Sequence, residues 1–113
     1  MQKFTQYAIN IIKAIPSGKV MSYGDVAKWA GNPRYARRVS YILHSMSKKH
    51  ELPWHRVVNS KGKISMTGKS YDEQKRMLQK EGIVFNDKDC ISFKTYGYIP
   101  LDIISIDPLD MDV

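Results

Sequence analysis

Gly31-Asn32-Pro33 constrains this chain more than any other stretch, because it ends one helix and starts another with almost no connection between them. Glycine suits the position just past a helix, asparagine caps the next helix, and proline is pre-set for its first turn. Upstream, Ser22 with Asp25 three positions later reads as a capping signal, so a short helix carrying Val26, Ala27 and Trp29 is predicted up to Gly31. Downstream, Val39, Ile42 and Leu43 recur at helical spacing and predict a helix to about Ser45. Two short helices on a three-residue link form a helix-turn-helix pattern. The second opens with Arg34-Tyr35-Ala36-Arg37-Arg38, and in that motif the N-terminal residues of the later helix meet DNA. A solvated basic helix face accounts for the same residues, and so the segment alone leaves both readings open.

Other elements group around this pair. Phe4, Ala8, Ile11, Ile12 and Ile15 share one face of a predicted helix over 3–15, which Pro16-Ser17-Gly18 ends. The polar run Ser47 to Glu51 reads as a loop. Arg56-Val57-Val58 and Lys63-Ile64-Ser65 read as two short strands about a turn at Asn59-Ser60-Lys61-Gly62. Ser70 and Glu73 form a capping box for a last helix to about Lys80, with Gly82 closing it. Beyond Phe85 the periodicity fades, and an irregular, partly mobile extension is expected.

A length of 113 residues fits one domain with one modest core. The charge is unevenly placed. All 18 Lys and Arg residues lie at or before Lys94 against seven Asp and Glu, a net of +11, whereas Asp102, Asp107, Asp110 and Asp112 give the remaining tail −4. So basic a body points to a polyanionic partner, with nucleic acid the first candidate. No apolar run approaches the roughly 20 residues of a membrane span, and no signal-peptide order is present, which makes a cytoplasmic location the expectation. Cys90 is the only cysteine, which excludes an internal disulfide and a cysteine-based zinc cluster; no metal and no cofactor are expected.

Pro53-Trp54-His55-Arg56-Val57 sets an indole, an imidazole and a guanidinium side by side before an apolar strand. His55 beside a thiol or hydroxyl would be a general base for a nucleophile, but its sequence neighbours offer neither. Glu81 lies in the last turn of a helix, where the macrodipole disfavours a carboxylate, so a tertiary partner such as His55 or Arg56 is expected for it. Locally, this reads as a structural hydrogen-bond network of His55, Arg56 and Glu81.

The ordered motifs Ile15-Pro16-Ser17-Gly18-Lys19-Val20, Ser22-Tyr23-Gly24-Asp25-Val26-Ala27, Gly31-Asn32-Pro33 with Ala36-Arg37, and Pro53 to Val58 resemble the DNA-binding domain of O6-alkylguanine-DNA alkyltransferases over about residues 4–85. In those enzymes the last run reads Pro-Cys-His-Arg-Val, and its cysteine accepts the alkyl group. Trp54 at that position resembles the alkyltransferase-like proteins, which bind alkylated guanine without dealkylating it. The resemblance implies that Arg37 enters the base stack in place of an extruded nucleotide, and that Tyr23 presses on the phosphate backbone. It also implies minor-groove docking of the arginine helix, for which Ala36 is suitably small, with Arg34, Tyr35 and Arg38 beside it. The flipped base is then expected in a pocket lined by Tyr23, Trp54, Val57 and the Met66-Thr67-Gly68 loop.

Two departures stand out: Met46 replaces an asparagine that braces the active-site turn in the enzymes, and Thr67 stands where some alkyltransferase-like proteins have arginine. The resemblance implies no catalytic residue, double-stranded DNA containing alkylated guanine as partner, and nucleotide excision repair proteins downstream. The expected fold is mainly α with a small β element, a monomeric winged helix-turn-helix-like domain over residues 1–94. An acidic extension is expected over 95–113. A helix-turn-helix transcription regulator and an alkyltransferase using Cys90 or another non-standard acceptor residue are the alternatives.

Overall fold

The structure, a computed structural model, describes residues 3–100. Helix α1 (Lys3–Ala14) packs through Ala8, Ile9, Ile11 and Ile12, all buried. Helix α2 (Tyr23–Trp29) begins where Ser22 Oγ accepts the Asp25 N–H at 3.0 Å, which satisfies one of the first-turn donors. The Asn32 carbonyl oxygen of the side chain accepts the Arg34 N–H at 3.0 Å and opens a 3-10 turn, Pro33–Tyr35, before helix α3 (Ala36–His50). Asn32 and Pro33 therefore cap the turn rather than α3 itself.

Helix α3 also runs past the predicted stop at Ser45 and absorbs the segment read as a polar loop. Ser45 Oγ donates to the Tyr41 carbonyl at 2.8 Å and Ser47 Oγ donates to the Leu43 carbonyl, so the polar run satisfies itself on the helix backbone. Lys48 and Lys49 favour a helix C-terminus electrostatically. Glu51 then takes a left-handed conformation (φ 52°), and the Leu52 N–H returns to the Ser47 carbonyl at 2.9 Å while its side chain is buried. Termination came from a buried leucine after a left-handed residue, not from polarity.

The small sheet differs from the expected hairpin. Strand β2 (Val57–Val58) pairs in parallel with β1 (Met21–Ser22), in the register Met21 with Val57 and Ser22 with Val58. Residues 63–65 form no strand. Alternation across the pair divides the interior: Met21 and Val57 face a core built on α1, α2 and α3, while Val20 and Val58 face a second core with Ile64, Leu78, Ile83 and Ile91. Asn59 still makes its turn, because its side chain accepts the Lys61 and Lys63 N–H groups at 2.9 Å each.

Helix α4 (Gly68–Lys80) starts two residues before Ser70, with Thr67 at its N-cap and no side-chain bond capping it, in place of the expected capping box. Its end is as read: Gly82 has φ 91°, and the Ile83 N–H reaches the Leu78 carbonyl at 3.1 Å. A short helix α5 (Phe93–Tyr96) follows, and the Val20 N–H donates to the Tyr96 carbonyl at 2.8 Å while the Tyr98 N–H donates to the Val20 carbonyl at 2.9 Å. Residues 96–98 thus dock on Val20, immediately before β1. The four tail aspartates lie outside the described residues. The architecture is mainly α with a two-stranded β element, as the sequence reading has it.

Gly62 is the tightest point of the second core: at φ 78°, a Cβ there would sit 2.2 Å from the Ile91 carbonyl oxygen. The Ile91 N–H also donates to the Gly62 carbonyl at 2.8 Å, so neither backbone is free to retreat. Gly62→Ala is expected to cost about 2 kcal/mol or more and to lower Tm by roughly 10 °C or more. Gly82→Ala, which meets open space and suffers only its positive φ, is expected to cost about 1 kcal/mol. Thermal unfolding of the two variants checks the difference.

Candidate nucleic-acid interface

Pro53 sets the geometry of the unusual Trp54-His55-Arg56 run. At φ −75° and ψ 67° it occupies the centre of an inverse γ-turn, and the Trp54 N–H donates to the Leu52 carbonyl at 2.8 Å. A 3-10 turn, Trp54–Arg56, follows and feeds directly into β2. The chain therefore leaves α3, reverses at Pro53 and presents Trp54 on one side and His55 on the other. Trp54 is half-buried and lines a cleft, whereas His55 is buried below it, with the two rings edge-to-face at 6.1 Å.

Beneath Trp54 lies one carboxylate that ties three segments together. The Glu81 oxygens accept from His55 Nε2 at 2.7 Å, from Arg56 Nε at 3.1 Å and Nη2 at 2.8 Å, and from the Gly18 N–H at 2.9 Å. Arg56 Nη1 donates to the Ile15 carbonyl at 2.8 Å, so the guanidinium also holds the end of α1. Burial opposes ionisation of Glu81, but the bonds from Arg56, Gly18 and His55 outweigh it and bring the pKa from 4.5 to about 2. An ionised carboxylate only accepts, so His55 Nε2 carries the hydrogen. Buried Gln74 completes the brace by donating Nε2 to the His55 and Val57 carbonyls at 3.0 and 3.2 Å.

The cleft above this network has a volume of about 940 Å³. Tyr23 at the start of α2, Trp54 and Met66 line it, and Tyr23 Oη is 2.9 Å from Ser65 Oγ. Arg37 stands on its α3 wall. Val57 does not reach the cleft: its pairing with Met21 turns the side chain into the first core. Thr67 and Gly68 are exposed at the start of α4 and also lie outside the lining. Ser40, Tyr41, His44, Ser47, Lys48 and Glu51 complete the α3 wall, and Ser70, Glu73 and Gln74 of α4 stand among the other lining residues. The predicted stop at Ser45 left Ser47 and Lys48 outside the helix, and Tyr41 and His44 carry no motif, although Arg37, Tyr41, His44 and Lys48 follow helical spacing on one face.

A shallower hollow of about 420 Å³ adjoins the cleft and is lined by Arg34, Tyr35, Arg37, Arg38 and Tyr41. Arg37 and Tyr41 border both, so these two side chains form the ridge between them. Arg38 lies over the Tyr35 ring at 4.5 Å, and Phe4 meets the same ring edge-on at 5.1 Å. Ala36 is half-buried at the foot of the ridge. Met46 packs against the first core, where an apolar chain takes the place of a polar brace. Cys90 sits in the turn from Asn86, its N–H bonded to Asn86 Oδ1 at 3.0 Å, and is not a lining residue of the cleft.

Residues 3–83 match the family described as 6-O-methylguanine DNA methyltransferase, DNA binding domain. The chain belongs to this family. It is 42% identical over 100 residues to a DNA base-flipping protein of Vibrio parahaemolyticus, covering 88% of this chain and all of that one. Alkyltransferase-like protein 1 of Schizosaccharomyces pombe is 38% identical over 85 residues, covering 74% of this chain and 79% of the relative. The solved structure of S. pombe Atl1 in complex with damaged DNA containing O6-carboxymethylguanine superposes with a TM-score of 0.74 at 32% identity, covering 88% of this chain and 98% of that one. Mycobacterium tuberculosis O6-methylguanine methyltransferase aligns less fully, with a TM-score of 0.58 and 72% of this chain covered. Among the described residues no helix is long and apolar enough to cross a membrane.

Because the folded pKa of Glu81 is depressed, its stabilisation is full above the unfolded value near 4.5 and is lost as pH falls toward about 2. Glu81→Gln is expected to destabilise the protein by about 2–3 kcal/mol at pH 7, since it leaves Arg56 under-compensated in a mostly buried site. The variant's deficit should shrink steadily below pH 4. Urea unfolding from pH 7 to pH 3 measures it, and a deficit independent of pH would contradict the assignment.

Proposed function

We propose that this protein reads O6-alkylguanine in duplex DNA by extruding the modified nucleotide, and that it leaves the lesion chemically unchanged. The observation that carries the reading is Trp54 on the cleft wall, facing the space bounded by Tyr23 and Arg37. Alkyl transfer requires a thiolate in line with the alkyl carbon, and the chain's single thiol, Cys90, is not among the residues that line this cleft. An indole is no practical nucleophile there, but it offers an apolar face for an alkyl group and one N–H donor. Trp54 takes the place of the acceptor cysteine, while His55, Arg56 and Glu81 act as the frame that holds it.

In this reading α3 enters the minor groove. Arg37 fills the gap left by the extruded nucleotide, Tyr23 bears on the phosphate backbone, and Arg34 and Arg38 neutralise phosphates on either side. Extrusion costs a few kcal/mol, less where pairing is already weakened, so an O6-alkyl group that disrupts the pair is favoured before it reaches the pocket. Val57 supports Trp54 from the core, and the Met66-Thr67-Gly68 loop flanks the pocket mouth, with Met66 alone on its wall. A lesion held but not repaired needs another system to remove it, and the family resemblance points to nucleotide excision repair proteins for that step.

Titration of normal and O6-methylguanine duplexes at one salt concentration tests the reading. Markedly tighter binding to the lesion duplex is expected, with an unchanged protein mass afterwards. Equal affinities would overturn it, and a mass increase of one methyl group would identify a transferase instead. Arg37→Ala is expected to weaken lesion binding by about tenfold or more, whereas Lys88→Ala should change it by less than about twofold.

A further inference from the structure

Tyr41 stands out among the exposed side chains of the described residues. It is 70% exposed, more than any other large apolar or aromatic residue of the body, and makes no ring contact. Its place is specific: four residues after Arg37 on α3, about 6 Å further along the helix axis, and on the same ridge between the large cleft and the shallow hollow. The hollow on its other side holds Arg34, Tyr35 and Arg38, and Tyr35 already carries the Arg38 guanidinium on its ring. An uncovered aromatic ring beside three guanidinium groups matches the chemistry of one nucleotide, the base stacking on the ring and the phosphate meeting an arginine.

We infer that Tyr41 stacks on the partner base, the one left unpaired when the lesion nucleotide is extruded, and holds that base in the shallow hollow. This rests on the extrusion reading above. The large cleft takes the lesion base and Arg37 takes the vacated space, so the hollow across the ridge faces the opposite strand. Stacking there stabilises the opened duplex from the second strand and lowers the net cost of extrusion. It also makes affinity depend on whether a base stands opposite the lesion.

The test is a two-by-two comparison of wild type and Tyr41→Ala on O6-methylguanine duplexes with cytosine or an abasic site opposite the lesion. Tyr41→Ala is expected to weaken binding about tenfold opposite cytosine and less than about twofold opposite the abasic site. Tyr41→Phe should bind as wild type, and Tyr7→Ala, at another exposed tyrosine that lines neither hollow, should be silent. Tyr41 is exposed enough that the variant keeps its fold, which circular dichroism verifies. An equal loss on both duplexes would place Tyr41 against the lesion or the backbone and overturn the inference, and so would no loss on either. If wild type shows no preference for the lesion duplex at all, the extrusion reading itself has failed.

Discussion

The fold is organised around one partly buried carboxylate. Glu81 ends α4, yet its oxygens are engaged by donors from the 3-10 turn and from the loop after α1, and Arg56 extends the same contact to Ile15. A carboxylate at a helix C-terminus meets an unfavourable dipole and loses water on burial. Only a complete set of N–H partners makes it tolerable, and the set is complete only when α1, the Trp54–Arg56 turn and α4 are all in place. Trp54 owes its position to this requirement, because its neighbours on the chain are the ones Glu81 holds.

Much of this was legible from local chemistry. Ser22, Gly82 and the helical spacing of Val39, Ile42 and Leu43 act within one element, so their signals survive in any tertiary setting. Glu81 was conspicuous because its own helix could not satisfy it. The failures share a cause. Parallel pairing of Met21–Ser22 with Val57–Val58 leaves no turn signature, since the partners are far apart in sequence, whereas the antiparallel alternative had a plausible turn beside it. The polar end of α3 and the docking of residues 96–98 on Val20 depend in the same way on contacts made elsewhere.

The candidate site shows the same division. Tyr23, Arg37 and Trp54 could be assigned from ordered motifs, and the cleft brings them to one wall system. Val57 could not be excluded from the pocket without knowing which face of a two-residue strand looks inward. Tyr41 carried no motif at all. Its place on the ridge becomes visible only when the folded chain shows that this face of α3 borders both the cleft and the shallow hollow.

The parallel strand pair has a further consequence for how the molecule comes to be functional. Its two halves lie on either side of the arginine helix, so the contact that seats Tyr23 and Trp54 relative to one another closes a long loop and is costly in chain entropy. The short helices draw on local contacts, whereas the seating of Tyr23 relative to Trp54 needs the strand pair and the Glu81 network. The cleft is therefore a long-range product of the fold: its walls meet only when segments on both sides of the arginine helix, and Glu81 beyond them, are in place together.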